Sequence, residues 1–272
     1  MKSRSGKNSY VVITGGSKGL GFELAKRFAR EGFNLVLVAR NKKDLERASK
    51  EIGQKHGVKC LTFSYDLSIM SEIDGFYKEL KKSRLDVPIL INNAGFGYWG
   101  KFERMDPKMQ IEMLNLNITG LSHLTLLFAS DMIKRGSGKI LNVSSIASFT
   151  PTPFCSTYSA SKTYVKYFSQ ALDYELRDRN VRISTLCSPD FLSGFQKRAG
   201  NPDLKLTGPY TGTAEKIADI AFRKFMKNKK VITPYSAFGK IAYFVENYVP
   251  LPYAIRIRTR KSIVENNYMA KK

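Results

Sequence analysis

Tyr158 and Lys162 stand four residues apart in Tyr158-Ser159-Ala160-Ser161-Lys162, which on a helix puts a phenol and an ammonium one turn apart on one face. A free phenol gives up its proton only near a pKa of about 10. A neighbouring cation favours the phenolate and lowers that value towards the working range, so such a pair could give or take a proton on a reacting oxygen. The spacing alone is cheap. Tyr77/Lys81 and Tyr268/Lys272 repeat it, and a solvated helix face would explain any one of them. Company singles out Tyr158: Ser145 lies 13 residues earlier, in a Ser144-Ser145 pair just past an apolar run, where a hydroxyl could hydrogen-bond the same oxygen. The chain has only two histidines, His56 and His123, so a Ser-His-Asp triad or a histidine metal centre has almost no material.

These residues need a scaffold that brings them to one edge. Strand-length apolar runs alternate with helix-length amphipathic stretches. Strands are predicted at 10–14, 34–39, 59–64, 89–92, 139–144, 181–187 and 231–233, and helices at 19–31, 42–56, 71–83, 107–134, 156–179 and 213–228. The strands are near-continuous Val/Ile/Leu runs, as in a parallel sheet covered on both faces. Strict βα alternation predicts an α/β fold: a doubly wound, Rossmann-type parallel sheet in a single catalytic domain over 1–234, with ligands at the carboxyl ends of the strands.

The first strand-to-helix turn is Thr14-Gly15-Gly16-Ser17-Lys18-Gly19-Leu20-Gly21. Gly15 would let the chain leave the strand sharply, Gly19 would let backbone approach a phosphate, and Gly21 would let the helix pack on the sheet. The free N–H groups at the helix start would then face a pyrophosphate. Arg40 ends the second strand, where NAD-binding sheets carry an acidic residue, and Lys18 lies on the same side. Two cations without a carboxylate suit a 2′-phosphate, so NADP(H) is expected over NAD(H). Asp66-Leu67, after the third strand, could reach the adenine. Asn92-Asn93-Ala94-Gly95, after the fourth, leaves room for a ribose or a flat ring. Phe96, Tyr98, Trp99, Phe149 and Phe154 suggest an apolar pocket wall, with core or dimer packing as the alternative, and residues 188–213 are long enough to form a lid.

Taken in order, Thr14 to Gly21, Asn92 to Gly95, Asn117, Ser145, and Tyr158 with Lys162 form a set that resembles the short-chain dehydrogenase/reductase family, from Tyr10 to about Pro234. The resemblance implies NADP(H)-dependent interconversion of a ketone and a secondary alcohol, with an apolar 3-oxoacyl, lipid or steroid-like substrate favoured by the aromatic wall. Asn117, in Asn117-Ile118-Thr119-Gly120, matches the family's catalytic asparagine and would anchor a water that relays protons; Asn115 does not fit the pattern. Ser145, with Ser144 as the fallback, would hold the substrate oxygen. Tyr158 would donate the proton in reduction and accept it in oxidation, and Lys162 would also hold the nicotinamide ribose. Pro189 and Phe191 would flank the cofactor. Asp190 follows Pro189 where the family has glycine, which puts a carboxylate near the nicotinamide amide or the pocket entrance and leaves the contacts of Phe191 and Ser193 open. The family also implies a homodimer or homotetramer through 107–134 and 156–179.

Across 272 residues, 45 Lys and Arg against 23 Asp and Glu give a net charge of +22. That charge motivates an alternative: a non-catalytic dinucleotide-binding regulator or a nucleic-acid-binding protein. Scattered cations and the lack of a nucleic-acid motif weigh against nucleic acid as a partner. Cys60, Cys155 and Cys187 lie far apart in apolar surroundings and read as reduced thiols. With no apolar segment of signal-peptide length, a cytoplasmic location is expected. Residues 235–272 form a basic, aromatic extension. Phe238, Ile241, Val245, Tyr248 and Val249 recur at helical spacing, and Arg256, Arg258, Arg260 and Lys261 follow two prolines. It is too broken to span a bilayer, and is expected either on an anionic membrane surface or packed over the pocket or a neighbouring subunit.

Overall fold

The computed structural model describes residues 9–191 and 212–234. Seven parallel strands form one sheet: β1 (Ser9–Thr14), β2 (Asn34–Ala39), β3 (Cys60–Ser64), β4 (Asp86–Asn92), β5 (Gly138–Ser145), β6 (Val181–Ser188) and β7 (Val231–Ile232), in the order β3-β2-β1-β4-β5-β6-β7. The helices are α1 (Gly19–Arg30), α2 (Lys42–His56), α3 (Met70–Lys82), α4 (Pro107–Leu114), α5 (Leu121–Arg135), α6 (Ser156–Leu176) and α7 (Ala214–Met226). The chain belongs to the doubly wound Rossmann class that the alternating pattern predicts. Neighbouring strand residues split between two cores: Val11 and Ile13 face α1, α2 and α7, while Tyr10 and Val12 face α3, α5 and α6. Phe28 and Phe76 are each fully buried on opposite faces, a burial worth about 1.5–3 kcal/mol per side chain.

Winding reverses beside β1, which pairs with β2 on one side and β4 on the other. A crevice opens there at the carboxyl ends, the usual ligand position in such sheets. Its floor is cross-linked. Thr14 Oγ1 accepts the N–H groups of Asn93 (3.0 Å) and Ala94 (2.9 Å), and Asn93 Nδ2 donates to the Thr14 carbonyl at 3.0 Å. The helix expected over 107–134 is two helices, α4 and α5, joined by a π-helical turn at Asn115–Gly120. Gly120 allows it, because a Cβ there would collide with the Leu67 carbonyl. The lid residues 192–211, Ser193 and the whole extension 235–272 lie outside the described residues.

Candidate active site

β5 ends at Ser145 and α6 carries Tyr158 and Lys162, so both lie at the carboxyl edge beside the crevice. The Ser145 side chain is hydrogen-bonded to the Tyr158 hydroxyl. It also accepts the Ala147 N–H at 3.1 Å, which fixes the turn that follows β5. Ser144, the fallback, is otherwise engaged: its hydroxyl donates to the Lys162 carbonyl at 2.7 Å and ties β5 to α6. Lys162 is 4% exposed, donates to the Val143 carbonyl at 3.1 Å and lies 5.7 Å from the centroid of the Tyr158 ring.

Asn117 sits on the π turn, and a widened turn of this kind often marks a functional position. Its amide pairs with the backbone of Phe96 in both directions, Nδ2 donating at 2.9 Å and Oδ1 accepting at 3.2 Å, and Nδ2 also donates to Ser161 Oγ at 3.1 Å. A Cβ at Gly95 would lie 2.8 Å from Asn117 Oδ1 and 3.2 Å from Lys162 Nζ. Only glycine leaves that space open, so Gly95, Asn117 and Lys162 form one small cradle. Trp99 packs beside Tyr158, with the two ring centroids 5.7 Å apart. The loops 93–101 and 149–155 are joined where Gly100 N–H donates to the Phe154 carbonyl at 2.9 Å, and Phe154 holds a positive φ of 62° to accept it. Positive φ in a bulky residue is costly and gathers at functional sites.

Burial dominates the electrostatics. It pushes the Tyr158 phenol above its ordinary range, and the hydrogen bond to Ser145 pulls the other way. It pulls the Lys162 ammonium down to about 8. The direction is opposite to the lowering expected from Lys162: burial is the largest influence on Tyr158, and it raises the phenol. Tyr77 with Lys81, at the same spacing, shows the alternative fate. The Tyr77 hydroxyl donates to Asp131 at 2.6 Å and ties α3 to α5.

The cofactor side fits a dinucleotide. Gly15 and Gly19 have φ of +63° and +57°. A Cβ at Gly21 would strike the Gly15 carbonyl and Asn93 Nδ2, so the helix approaches the turn as closely as glycine permits. The start of α1 has no capping side chain and no acidic residue in its first turn, which leaves backbone N–H groups for a phosphate. Ser17 is buried there and Leu20 anchors the helix in the core. One expectation is corrected. Lys18 and Arg40 are not free of carboxylates: Lys18 Nζ lies 2.7 Å from Asp44, and Arg40 contacts Asp66 at 3.2 Å and Glu112 at 2.9 Å. Asp66 in turn accepts from the Ser68 N–H at 2.9 Å, and Leu67 is buried. Glu112 was invisible in the sequence, because it reaches Arg40 from 72 residues away.

The substrate side is corrected as well. Phe96, expected in the pocket wall, is 1% exposed and belongs to the core, with only its backbone serving the site. Tyr98 and Trp99 are half-buried against that core, and Phe154 is half-buried in its strained turn. Pro189 is buried, Asp190 is exposed with its carbonyl accepting the Gly212 N–H at 3.0 Å, and Phe191 packs on the opposite core.

The family model for short chain dehydrogenase matches residues 9–203. The chain belongs to that family. Among curated relatives, it is 32% identical over 212 residues to the very-long-chain 3-oxoacyl-CoA reductase of Homo sapiens, covering 76% of this chain and 66% of that protein. It is 30% identical over 262 residues to the protein of the same name from Neurospora crassa, covering 94% and 78%. A solved short-chain dehydrogenase from Sphingobium yanoikuyae in complex with NADPH superimposes with a TM-score of 0.78 at 28% identity, covering 97% of this chain and 96% of that one.

Proposed function

We propose that the protein is an NADP(H)-dependent oxidoreductase that interconverts a ketone and a secondary alcohol, with Tyr158 as general acid/base. The convergence of Ser145, Tyr158, Lys162 and Asn117 at the sheet's switch point carries this reading. The dinucleotide, when bound, supplies or accepts the hydride. The amides of α1 and Ser17 hold its pyrophosphate, and Lys18 and Arg40 take a 2′-phosphate. Asp66 and Leu67 border the adenine. Asn93, Ala94 and Gly95 border the nicotinamide half, with Pro189 and Phe191 flanking it.

In reduction the Tyr158 O–H bond breaks and its proton passes to the substrate oxygen. Ser145 hydrogen-bonds that oxygen as its charge develops. The Lys162 ammonium stabilises the phenolate left behind, and Asn117 anchors the water that returns a proton. A phenol is protonated near neutral pH and so enters reduction carrying the proton it must give, and burial shifts it further in that direction.

An apolar substrate of the 3-oxoacyl type is supported by Trp99 beside Tyr158 and by relatives named 3-oxoacyl-CoA reductases. NADP(H) is supported by the place of Arg40, directly after β2, and by a neighbour solved with NADPH. A homodimer or homotetramer through α5 and α6 is supported by exposed Leu126, Tyr164, Tyr167 and Tyr174. Among the described residues no helix is long and apolar enough to cross a membrane. Turnover of a carbonyl panel, from short polar ketones to 3-oxoacyl thioesters and sterols, with NADPH and with NADH, tests the reading. Preference for NADPH and long apolar carbonyls is expected, and turnover confined to small polar ketones would remove the substrate assignment.

A further inference from the structure

The edge of the sheet opposite the site has a different construction. Every strand is parallel, so each helix that leads into the next strand ends at the amino edge of the sheet. The chain turns back there tightly: Gly32, Gly57, Arg84, Gly136, Asn180 and Asn228 all follow helical turns and all have positive φ. The carboxyl edge carries the long loops, while the amino edge is short and low. Cations crowd it. The last turns of α1, α2, α3, α5 and α7 each carry basic residues, and Arg177 and Arg179 follow α6.

Helix dipoles account for a preference for cations here, but not for their number. Arg30, Lys59, Arg84, Lys134, Arg179 and Lys229 are all exposed, and none forms an ion pair among the described residues. Of the carboxylates nearby, Glu31 pairs with Arg27, Asp86 with Arg135 and Asp178 with Arg177, while Glu175 in the last turn of α6 forms no ion pair among the described residues. The six cations extend from the β3 end of the sheet to its β7 end, across seven strands, or about 29 Å at 4.8 Å per strand spacing. They come from helices on both faces of the sheet, so they make a two-dimensional array. A single strip of charge would suit a polyanionic strand. A broad, low array suits a plane.

We propose that this amino edge is a docking face for an anionic lipid bilayer, holding the catalytic edge towards the solvent. The proposal does not depend on the assigned reaction. Each Lys or Arg near an anionic membrane adds about 1 kcal/mol, or about fivefold in partitioning, and the effect fades within a Debye length.

The test uses the full chain and vesicles of phosphatidylcholine with or without phosphatidylserine at about a third of the lipid. Co-sedimentation is expected only with phosphatidylserine, and is expected to fall as salt rises. A variant carrying Arg30→Gln, Lys59→Gln, Arg84→Gln, Lys134→Gln, Arg179→Gln and Lys229→Gln should lose at least tenfold in vesicle binding while binding NADPH as before. Three results would each overturn the proposal: vesicle binding unchanged in that variant, no binding by the parent at low salt, or tighter binding to duplex DNA than to vesicles at equal salt.

Discussion

Replacing Lys162 with methionine should make the protein more stable and inactive at once. Burial lowers the ammonium from 10.5 to about 8, so at neutral pH the folded state carries a charge that it holds poorly. With 1.36 kcal/mol per pKa unit, linkage puts the penalty at about 3 kcal/mol at pH 7. Between pH 8 and 10.5 the folded protein has released this proton while the unfolded chain still binds it, so stability rises with pH and the penalty shrinks to about 1.5 kcal/mol at pH 9.5. Methionine removes the charge but leaves the Val143 carbonyl without its lysine donor, which gives back about 1 kcal/mol. The net gain is about 2 kcal/mol at pH 7 and close to zero at pH 9.5. Urea unfolding of both proteins at the two pH values measures it. A variant less stable than the parent at pH 7, or a difference that does not shrink with pH, would refute the reasoning.

Two further perturbations address the cofactor side. Gly21→Ala drives a methyl into the Gly15 carbonyl and Asn93, neither of which can yield without opening the first turn; NADPH titration should show at least tenfold weaker binding, with a lowered melting temperature. Glu112→Gln releases one of the two carboxylates on Arg40; because that pair is solvent-exposed, NADPH should bind up to about fivefold tighter with NADH affinity unchanged, as read by fluorescence titration.

The scaffold was legible because each strand is buried on both faces and each helix has its own period. Lys42–His56 matches its predicted span to the residue, with Asn41 capping one end and Gly57 closing the other. β4 begins three residues before the expected Ile89 and runs through Pro88. The register between β1 and β4 slips across this stretch and the strand continues. The single helix expected over 107–134 divides because Asn117 is drawn to the backbone of Phe96, a tertiary contact that helical periodicity does not encode. The site was legible where chemistry fixes residue type, at Ser145, Tyr158 and Lys162, and illegible where distant elements meet. Glu112 on Arg40, Ser161 on Asn117 and Lys166, which is buried and donates to the Ser148 carbonyl at 3.1 Å behind Ser145, all follow from packing. Phe96 misled because a large aromatic beside a glycine turn suits a pocket wall and a core equally well.

The account rests on a proton carried by one phenol. Tyr158→Phe keeps the ring that packs against Trp99 and removes only the hydroxyl. With saturating NADPH and a 3-oxoacyl thioester, turnover should fall by at least about a hundredfold, the usual range for losing a general acid. NADPH affinity from the quenching of Trp99, the one tryptophan, should stay within twofold or so of the parent. Parental turnover in that variant, with the cofactor bound equally well, would contradict the assignment.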